Sequence, residues 1–462
     1  MEKSANPLGK EPVGRLIAKF AVPSIIAMLV GSLYNIIDQL FIGQDVGTVG
    51  NAATNVAFPF TTSCIALSLL FGIGGASCYN LTMGQGDTEK APYYMGNSLT
   101  MLTLSGILVT AVTELFLTSL LTLFGSPADV LPYAEKYVSI TAIGFPFLIL
   151  TTGGCHLIRA DGSPYMAMVC NLIGAVINTI LDAFFIFGLK MGIAGAALAT
   201  VIGQVISALI VIVYIWKFRK ATLTKKHFPI RLKIVGRISA IGMASFINQL
   251  AIMVVQIVLN NVLRHYGSLS VYGETTPIAV SGIVMKINQI VFSIVIGLSQ
   301  GAQPIESFNY GARQYDRVRK AFKIAILIGG TVSFIAFIVF QLIPRQLISI
   351  FGSGDENYFL LGESFFRIFL FFTWLNCLQP IIATFFTSIG KPMNGVFLSL
   401  TRQFLFFLPP LLILPLYMGI DGVLFTGPIA DLCSGIAAII MAAVQFSKIR
   451  KEEKNMIESK KG

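Results

Sequence analysis

Apolar stretches long enough to cross a membrane recur from one end of this chain to the other, and they leave it few ways to fold. An α-helix needs about 20 apolar residues to span roughly 30 Å of hydrocarbon. Twelve stretches meet that need, at about 16–43, 52–83, 93–120, 133–157, 164–187, 192–217, 238–263, 277–303, 321–344, 364–388, 395–416 and 421–446. Charged residues make up only 12% of the chain, against about 25% in soluble proteins. The expected fold class is an all-α polytopic membrane protein with twelve transmembrane helices. The first stretch follows Glu2, Lys3, Lys10, Glu11 and Arg15 and is too long, with no small-residue cleavage site, for a removable signal peptide. The connecting segments are short, so no sizeable soluble domain is expected, which excludes most enzyme classes.

Basic loops stay on the cytoplasmic side. With both termini inside, most of the 33 Lys and Arg fall on inner segments: the N-terminus, Lys90, Arg159, 217–237, 313–323, Lys391 and the region after 447. Only Lys136, Lys190, Arg264 and Arg345 fall outside. The expected location is the cell membrane, multi-pass, with cytoplasmic termini. The net charge of +11 is then a topology signal and a match to anionic inner-leaflet lipid, not a nucleic-acid footprint. All six cysteines lie in or at the ends of apolar spans without paired spacing and are read as small core residues. The three histidines are scattered, and neither H-E-x-x-H nor C-x-x-C occurs, so no metal site and no cofactor are expected. The nearest approach to a phosphate loop, "SIGKPM", has Pro392 where Ser or Thr is needed.

The basic segment 217–237 cuts the chain near its middle, and the halves are repeats. "TLFGS" (122–126) recurs as "SIFGS" (349–353), "DGSP" (161–164) as "IGKP" (389–392), "MGIAG" (191–195) as "MGIDG" (418–422), and "TMGQGD" near 84 answers to "NYGARQ" near 311, all spaced by 227 or 228 residues. Six spans per half is an even number, so both halves enter the membrane from the same side. They are parallel repeats about an axis along the membrane normal, an arrangement found in transporters. The expected division is 1–216 as an N-terminal six-helix lobe, 217–237 as a cytoplasmic linker, 238–447 as a C-terminal six-helix lobe and 448–462 as a cytoplasmic tail.

Repeats supply an internal control: positions that serve only the fold look alike in both copies. Asp182 has Pro409 as its counterpart, Thr200 has Gly427, Asn178 has Leu405, and Asp38 has Leu259 when "VPS" (22–24) is set on "MAS" (243–245). The polar set belongs to the first half alone. At 1.5 Å per residue, Asp38 and Asp182 lie roughly 8–9 Å, and Thr200 about 12 Å, below the outer ends of their helices. Asn178 is one turn from Asp182 on the same face. Asn and Thr often bond across membrane helices as packing residues, but intramembrane carboxylates are costly and mark ion or proton pathways. Such a set suits proton exchange or a hard cation held through oxygens. Lys286, in mid-span, is read equally as a residue of substrate passage or a counter-ion. Arg402 and Asp431 are placed to pair with each other, and Glu306 is read as a solvated or gate residue near the inner mouth.

The first-helix "VPSIIAMLVGSLYNIIDQLFIG", the fifth-helix "NTILDAFFIFG", the "GIAGAALAT" opening the sixth and "GAQPIESFNYGAR" after the eighth together resemble the multidrug and toxic compound extrusion (MATE) family from about residue 12 to 447. The resemblance implies a V-shaped, cation-coupled antiporter, driven by H+ or Na+, that expels amphipathic, often cationic, organic compounds by alternating access. The family's N-lobe cation site falls on Asp38, Asn178, Asp182 and Thr200, its first-helix proline on Pro23, and an adjacent tyrosine on Tyr34. Another branch of the family uses acids in the C-terminal lobe. Here the seventh helix has none, and Glu363 stands at the edge of the tenth. A monomer is expected.

Two rivals are weaker. A lipid-linked sugar flippase of the same superfamily needs more cationic residues along its cavity than Lys286 and Arg402 offer. A polytopic transferase needs clustered acids in a loop to hold Mg²⁺, and a channel needs rings of pore-lining charge.

Overall fold

The computed structural model describes residues 6–217, 223–273, 276–350 and 356–459. Parts of the linker (218–222), of the second "SIFGS" copy (351–353) and of the tail (460–462) lie outside the described residues. Eleven helices among those described are long and apolar enough to cross a membrane. They are α1 (Val13–Asp45), α2 (Val49–Gly84), α3 (Ala91–Leu115), α4 (Leu131–Ala160), α5 (Pro164–Gly188), α6 (Ile193–Ile215), α7 (Leu232–Ser268), α8 (Thr276–Gly311), α9 (Tyr315–Leu342), α11 (Pro392–Met418) and α12 (Ile420–Asn455). The twelfth, α10, is a pair, Glu356–Phe369 with Thr373–Ser388, bent by 43°. It breaks without a proline at the break. Phe365–Phe369 is wound as a π-helical turn and Thr373–Leu375 as a 3-10 turn, two incompatible hydrogen-bond ladders on either side of three residues. Buried Phe365, Phe366 and Phe369 hold the kink against Phe340 and Phe407.

Side chains sort by solvent. Large apolar residues such as Leu108, Leu115, Ile180 and Val213 are exposed, where lipid replaces water, while Ser77, Asn80, Thr82, Asn97 and Ser98 are buried. Small residues let helices meet backbone to backbone. A Cβ on Gly72 of α2 would meet Gly153 Cα of α4 at 2.6 Å, and one on Gly242 of α7 would collide with the carbonyl oxygen of Leu70 on α2.

Contacts group residues 18–250 into one compact unit, and the described parts of 1–17 and 251–462 into the other. The compact units therefore do not divide at the basic linker. In the first, Asn97 Nδ2 donates to the His227 carbonyl (3.0 Å), the Arg231 N–H donates to Asn97 Oδ1 (2.8 Å), Thr100 donates to the Phe228 carbonyl (2.9 Å), and the Arg231 guanidinium lies 3.8 Å from the Tyr93 ring centre. Burial pushes the His227 imidazole below its usual range, with Lys226 and Arg231 adding to the effect. Its Nδ1 accepts the Thr224 N–H at 2.9 Å. In the second unit, Asn309 and Arg317 both donate to the Leu8 carbonyl, at 3.0 and 2.9 Å, and Arg317 also donates to that of Glu11 at 2.7 Å.

The repeat is present in the backbone. Gly192 and Gly419 adopt φ 59° and 60°, each with ψ −139°, a conformation that suits glycine. The turn after α2 bonds Asp87 N–H to Thr82 and Gly86 N–H to Met83, and the turn after α8 bonds Gln314 N–H to Asn309 and Arg313 N–H to Tyr310. Arg313 holds φ 56° where the first copy has Gly86 at 85°.

Three side chains need comment. Arg402 donates to Asp431 at 2.8 Å, as their placement suggests. Glu306 is 2% exposed and close enough to hydrogen-bond Ser388, so it is not solvated. Tyr214 is buried and donates to Asp161 Oδ2 at 3.1 Å.

Candidate functional site

The unit of residues 18–250 holds Asp38, Asn178, Asp182 and Thr200. Local structure brings their helices together just beyond them. Ile42, one turn after Asp38, packs with Ile186, one turn after Asp182, and with Ala196, one turn before Thr200. Phe41 and Phe187 stack edge to face at 5.4 Å beside them. On the other side, glycine lets α6 lie against α5: a Cβ on Gly203 would meet the Gly174 carbonyl at 2.8 Å and Asn178 Cβ at 3.2 Å. Directly after Asp182 the helix widens into a π turn, Ala183–Gly188, a feature frequent at functional sites.

Asn178 is the bridge. Its amide orientation is set by its neighbours: the nitrogen donates to Asp182 Oδ2 at 3.1 Å, while the oxygen accepts from the Thr200 hydroxyl at 3.3 Å and the Thr200 N–H at 3.1 Å. Asp182 is 0% exposed. The carboxyls of Asp38 and Asp182 lie within hydrogen-bonding reach of each other, and among the described residues no Lys or Arg acts on either. Each also has a buried oxygen, Oδ1, that no donor among the described residues reaches. Two ionised carboxylates about 4 Å apart repel by about 4 kcal/mol at an effective dielectric of ~20. A shared proton, or a cation held between them, removes that cost. The polar set is therefore chemically able to take up one positive charge.

Tyr34, one turn before Asp38, lies close enough to act electrostatically on both carboxyls, and so does Tyr137 of α4. Sequence reading missed Tyr137. It lies six residues into its helix, where a tyrosine looks like an interfacial anchor, and only the fold turns it toward α1 and α5. Pro23 is in the interior of α1, ten residues after its first residue, and cannot donate to the Lys19 carbonyl. Lys286 belongs to the other unit, on α8, half-buried and with no acid acting on it among the described residues. The counterpart positions in that unit are apolar or small: Leu259 joins a cluster with Phe407 and Leu411, and Gly427 lies against the Phe369 backbone. Among the described residues no group of three or more His, Cys, Asp or Glu is placed to hold a metal ion.

Comparison with known proteins agrees with this architecture. The family model MatE matches residues 23–184 and 244–413, one segment in each half. The chain is 24% identical over 450 residues to the multidrug export protein MepA of Staphylococcus aureus (strain MSSA476), covering 97% of this chain and 98% of that one. An outward-facing structure of a multidrug resistance MATE family transporter of the MOP superfamily superposes with a TM-score of 0.89 at 22% identity, covering 96% and 98% of the two chains. A MOP superfamily transporter from Pyrococcus furiosus, described as having a binding pocket of reverse polarity, superposes with a TM-score of 0.88 at 22% identity and the same coverage. With both halves matched by one family model and the polytopic helical fold shared along nearly its whole length, the chain belongs to the MatE family of membrane transporters.

Proposed function

We propose that the protein is an exporter of amphipathic, often cationic, organic compounds, coupled by antiport to H+ or Na+ at Asp38, Asn178, Asp182 and Thr200. The observation that carries this reading is the pair of carboxyls in mutual hydrogen-bond reach, each with a buried oxygen and, among the described residues, unrelieved by any basic side chain. A ligand shifts a conformational equilibrium only through its differential affinity for the two states. A pair that is costly to leave ionised supplies that difference when α1 moves relative to α5 and α6. Pro23 gives α1 a place to bend, and Tyr34 and Tyr137 line the approach to the pair. The substrate class is supported by the multidrug export function of the relative MepA. The protein acts as a monomer in the cell membrane with both termini cytoplasmic, and it needs no cofactor beyond the coupling ion. Lys286 contributes to substrate passage in the other unit. Dye export in inside-out vesicles, driven first by an imposed proton gradient and then by a sodium gradient, tests the reading. Export under one gradient supports it and names the ion, and export under neither overturns it.

A further inference from the structure

Cys155 of α4 and Cys170 of α5 are small buried core residues, as the sequence suggests, and they also lie beside each other. The Cys155 thiol points at the Ala167 carbonyl at 3.6 Å, and Asn171 Nδ2 donates to its sulfur at 3.3 Å. Ala167, Cys170 and Asn171 occupy one face of α5, spaced i, i+3 and i+4. The Cys155 sulfur therefore sits in a notch beside Cys170, within hydrogen-bonding reach of the second thiol. At a spacing of 227 or 228 residues, the other half has Ile382 or Ala383, and Phe397 or Leu398. The fold thus does not require thiols at these positions.

We propose that Cys155 and Cys170 form a redox-modifiable pair that a small hydroperoxide closes into a disulfide joining α4 to α5. Cys155 is 1% and Cys170 0% exposed, which restricts the oxidant to a small, uncharged molecule and excludes bulky thiol–disulfide exchange partners. Cys155, held by the Asn171 N–H, is the attacking sulfur. As thiolate it attacks one oxygen of ROOH: the S–O bond forms as O–O breaks, and ROH leaves with the proton, giving a sulfenic acid. The Cys170 sulfur then attacks the Cys155 sulfur, S–S forms as S–O breaks, and the hydroxyl leaves as water with the Cys170 proton. The two thiols together lose two electrons and the hydroperoxide gains them. Disulfides in a reducing compartment are transient and regulatory rather than structural, which fits a pair whose fold stands without them.

The bond has a consequence for transport that rests on the coupling function proposed above. On α5, Asn178 and Asp182 follow Cys170 by about 12 and 18 Å at 1.5 Å per residue, and α4 carries Tyr137. A disulfide here fixes two of the helices around the carboxyl pair against each other and slows export.

Reconstituted protein treated with hydrogen peroxide, then unfolded and alkylated, tests the chemistry without reference to transport. Titratable thiols are expected to fall from six to four, with a Cys155–Cys170 cross-linked peptide by mass spectrometry and full recovery in dithiothreitol. In Cys170→Ser, dimedone is expected to trap the sulfenic acid on Cys155. Six surviving thiols, a link to any other cysteine, or terminal oxidation to sulfonic acid overturns the proposal. Export by the oxidised protein is expected to drop several-fold and recover on reduction, with Cys155→Ser/Cys170→Ser insensitive to peroxide. Unchanged export from protein shown to carry the disulfide overturns the regulatory role. Failure of the coupling function is seen separately, as absent gradient-driven export in the reduced protein.

Discussion

Replacing Asp38 by Asn separates the electrostatic role of the carboxyl pair from its structural role. The amide is nearly isosteric and can donate to Asp182, which lies within reach of residue 38. A hydrogen bond to a charged group contributes about 1.5–3 kcal/mol, so the substitution keeps the contact. It also deletes the repulsion of about 4 kcal/mol between two ionised carboxylates and, with it, the reason to bind a cation. Asp38→Asn is therefore expected to be at least as stable as wild type. A gain of 1 kcal/mol corresponds to about 2–4 °C for a unit of this size. In proteoliposomes, a gradient of one pH unit is worth about 1.4 kcal/mol, enough for a tenfold substrate ratio at one proton per substrate. The variant is expected to reach a ratio near unity under proton or sodium gradients while still equilibrating substrate. Wild-type accumulation by Asp38→Asn under either gradient refutes the reasoning. A large loss of stability in the variant shows instead that the ionised group holds the fold.

Asn178→Ala removes the bridge between Asp182 and Thr200 and is expected to cost about 1–3 kcal/mol of stability, read by thermal unfolding, and to weaken the coupling ion's half-saturation in transport. Gly242→Ala forces a Cβ into the Leu70 carbonyl and is expected to cost about 1–3 kcal/mol or more, whereas Gly236→Ala meets nothing within 4 Å and is expected to be neutral or mildly stabilising. Pro23→Ala restores a donor to the Lys19 carbonyl; export slows while equilibrium drug binding stays within a few-fold, and spin-label distances along α1 change less with the coupling ion than in wild type. Arg402→Met leaves Asp431, 3% exposed, without its cation and is expected to destabilise by about 3–5 kcal/mol, measured by the same unfolding assay, with no change in which ion drives transport.

Much of the fold was legible because span length is fixed by the bilayer and apolar runs record it. The bend in α10 was not, since "FFRIFLFFTWL" carries no proline or glycine and its break arises from how buried phenylalanines pack. The unit boundary was not legible either. The linker's attachment to α3 runs through backbone carbonyls of His227 and Phe228 that any sequence could present. The polar set stood out because the second copy has Leu259, Leu405, Pro409 and Gly427 in its place. The approach of Tyr137 to the carboxyls, the burial of Glu306 and the Cys155–Cys170 contact were not legible, because a residue's partners on other helices depend on helix rotation, which a uniformly apolar span does not encode.

Proton or sodium release on substrate binding tests the central claim most directly. Purified protein in weak buffer, titrated with a transported dye beside a pH electrode or a sodium-selective electrode, is expected to release close to one cation per dye bound. The Asp38→Asn/Asp182→Asn variant is expected to bind dye and release none. Equal release from wild type and the double variant contradicts the assignment of coupling to this carboxyl pair.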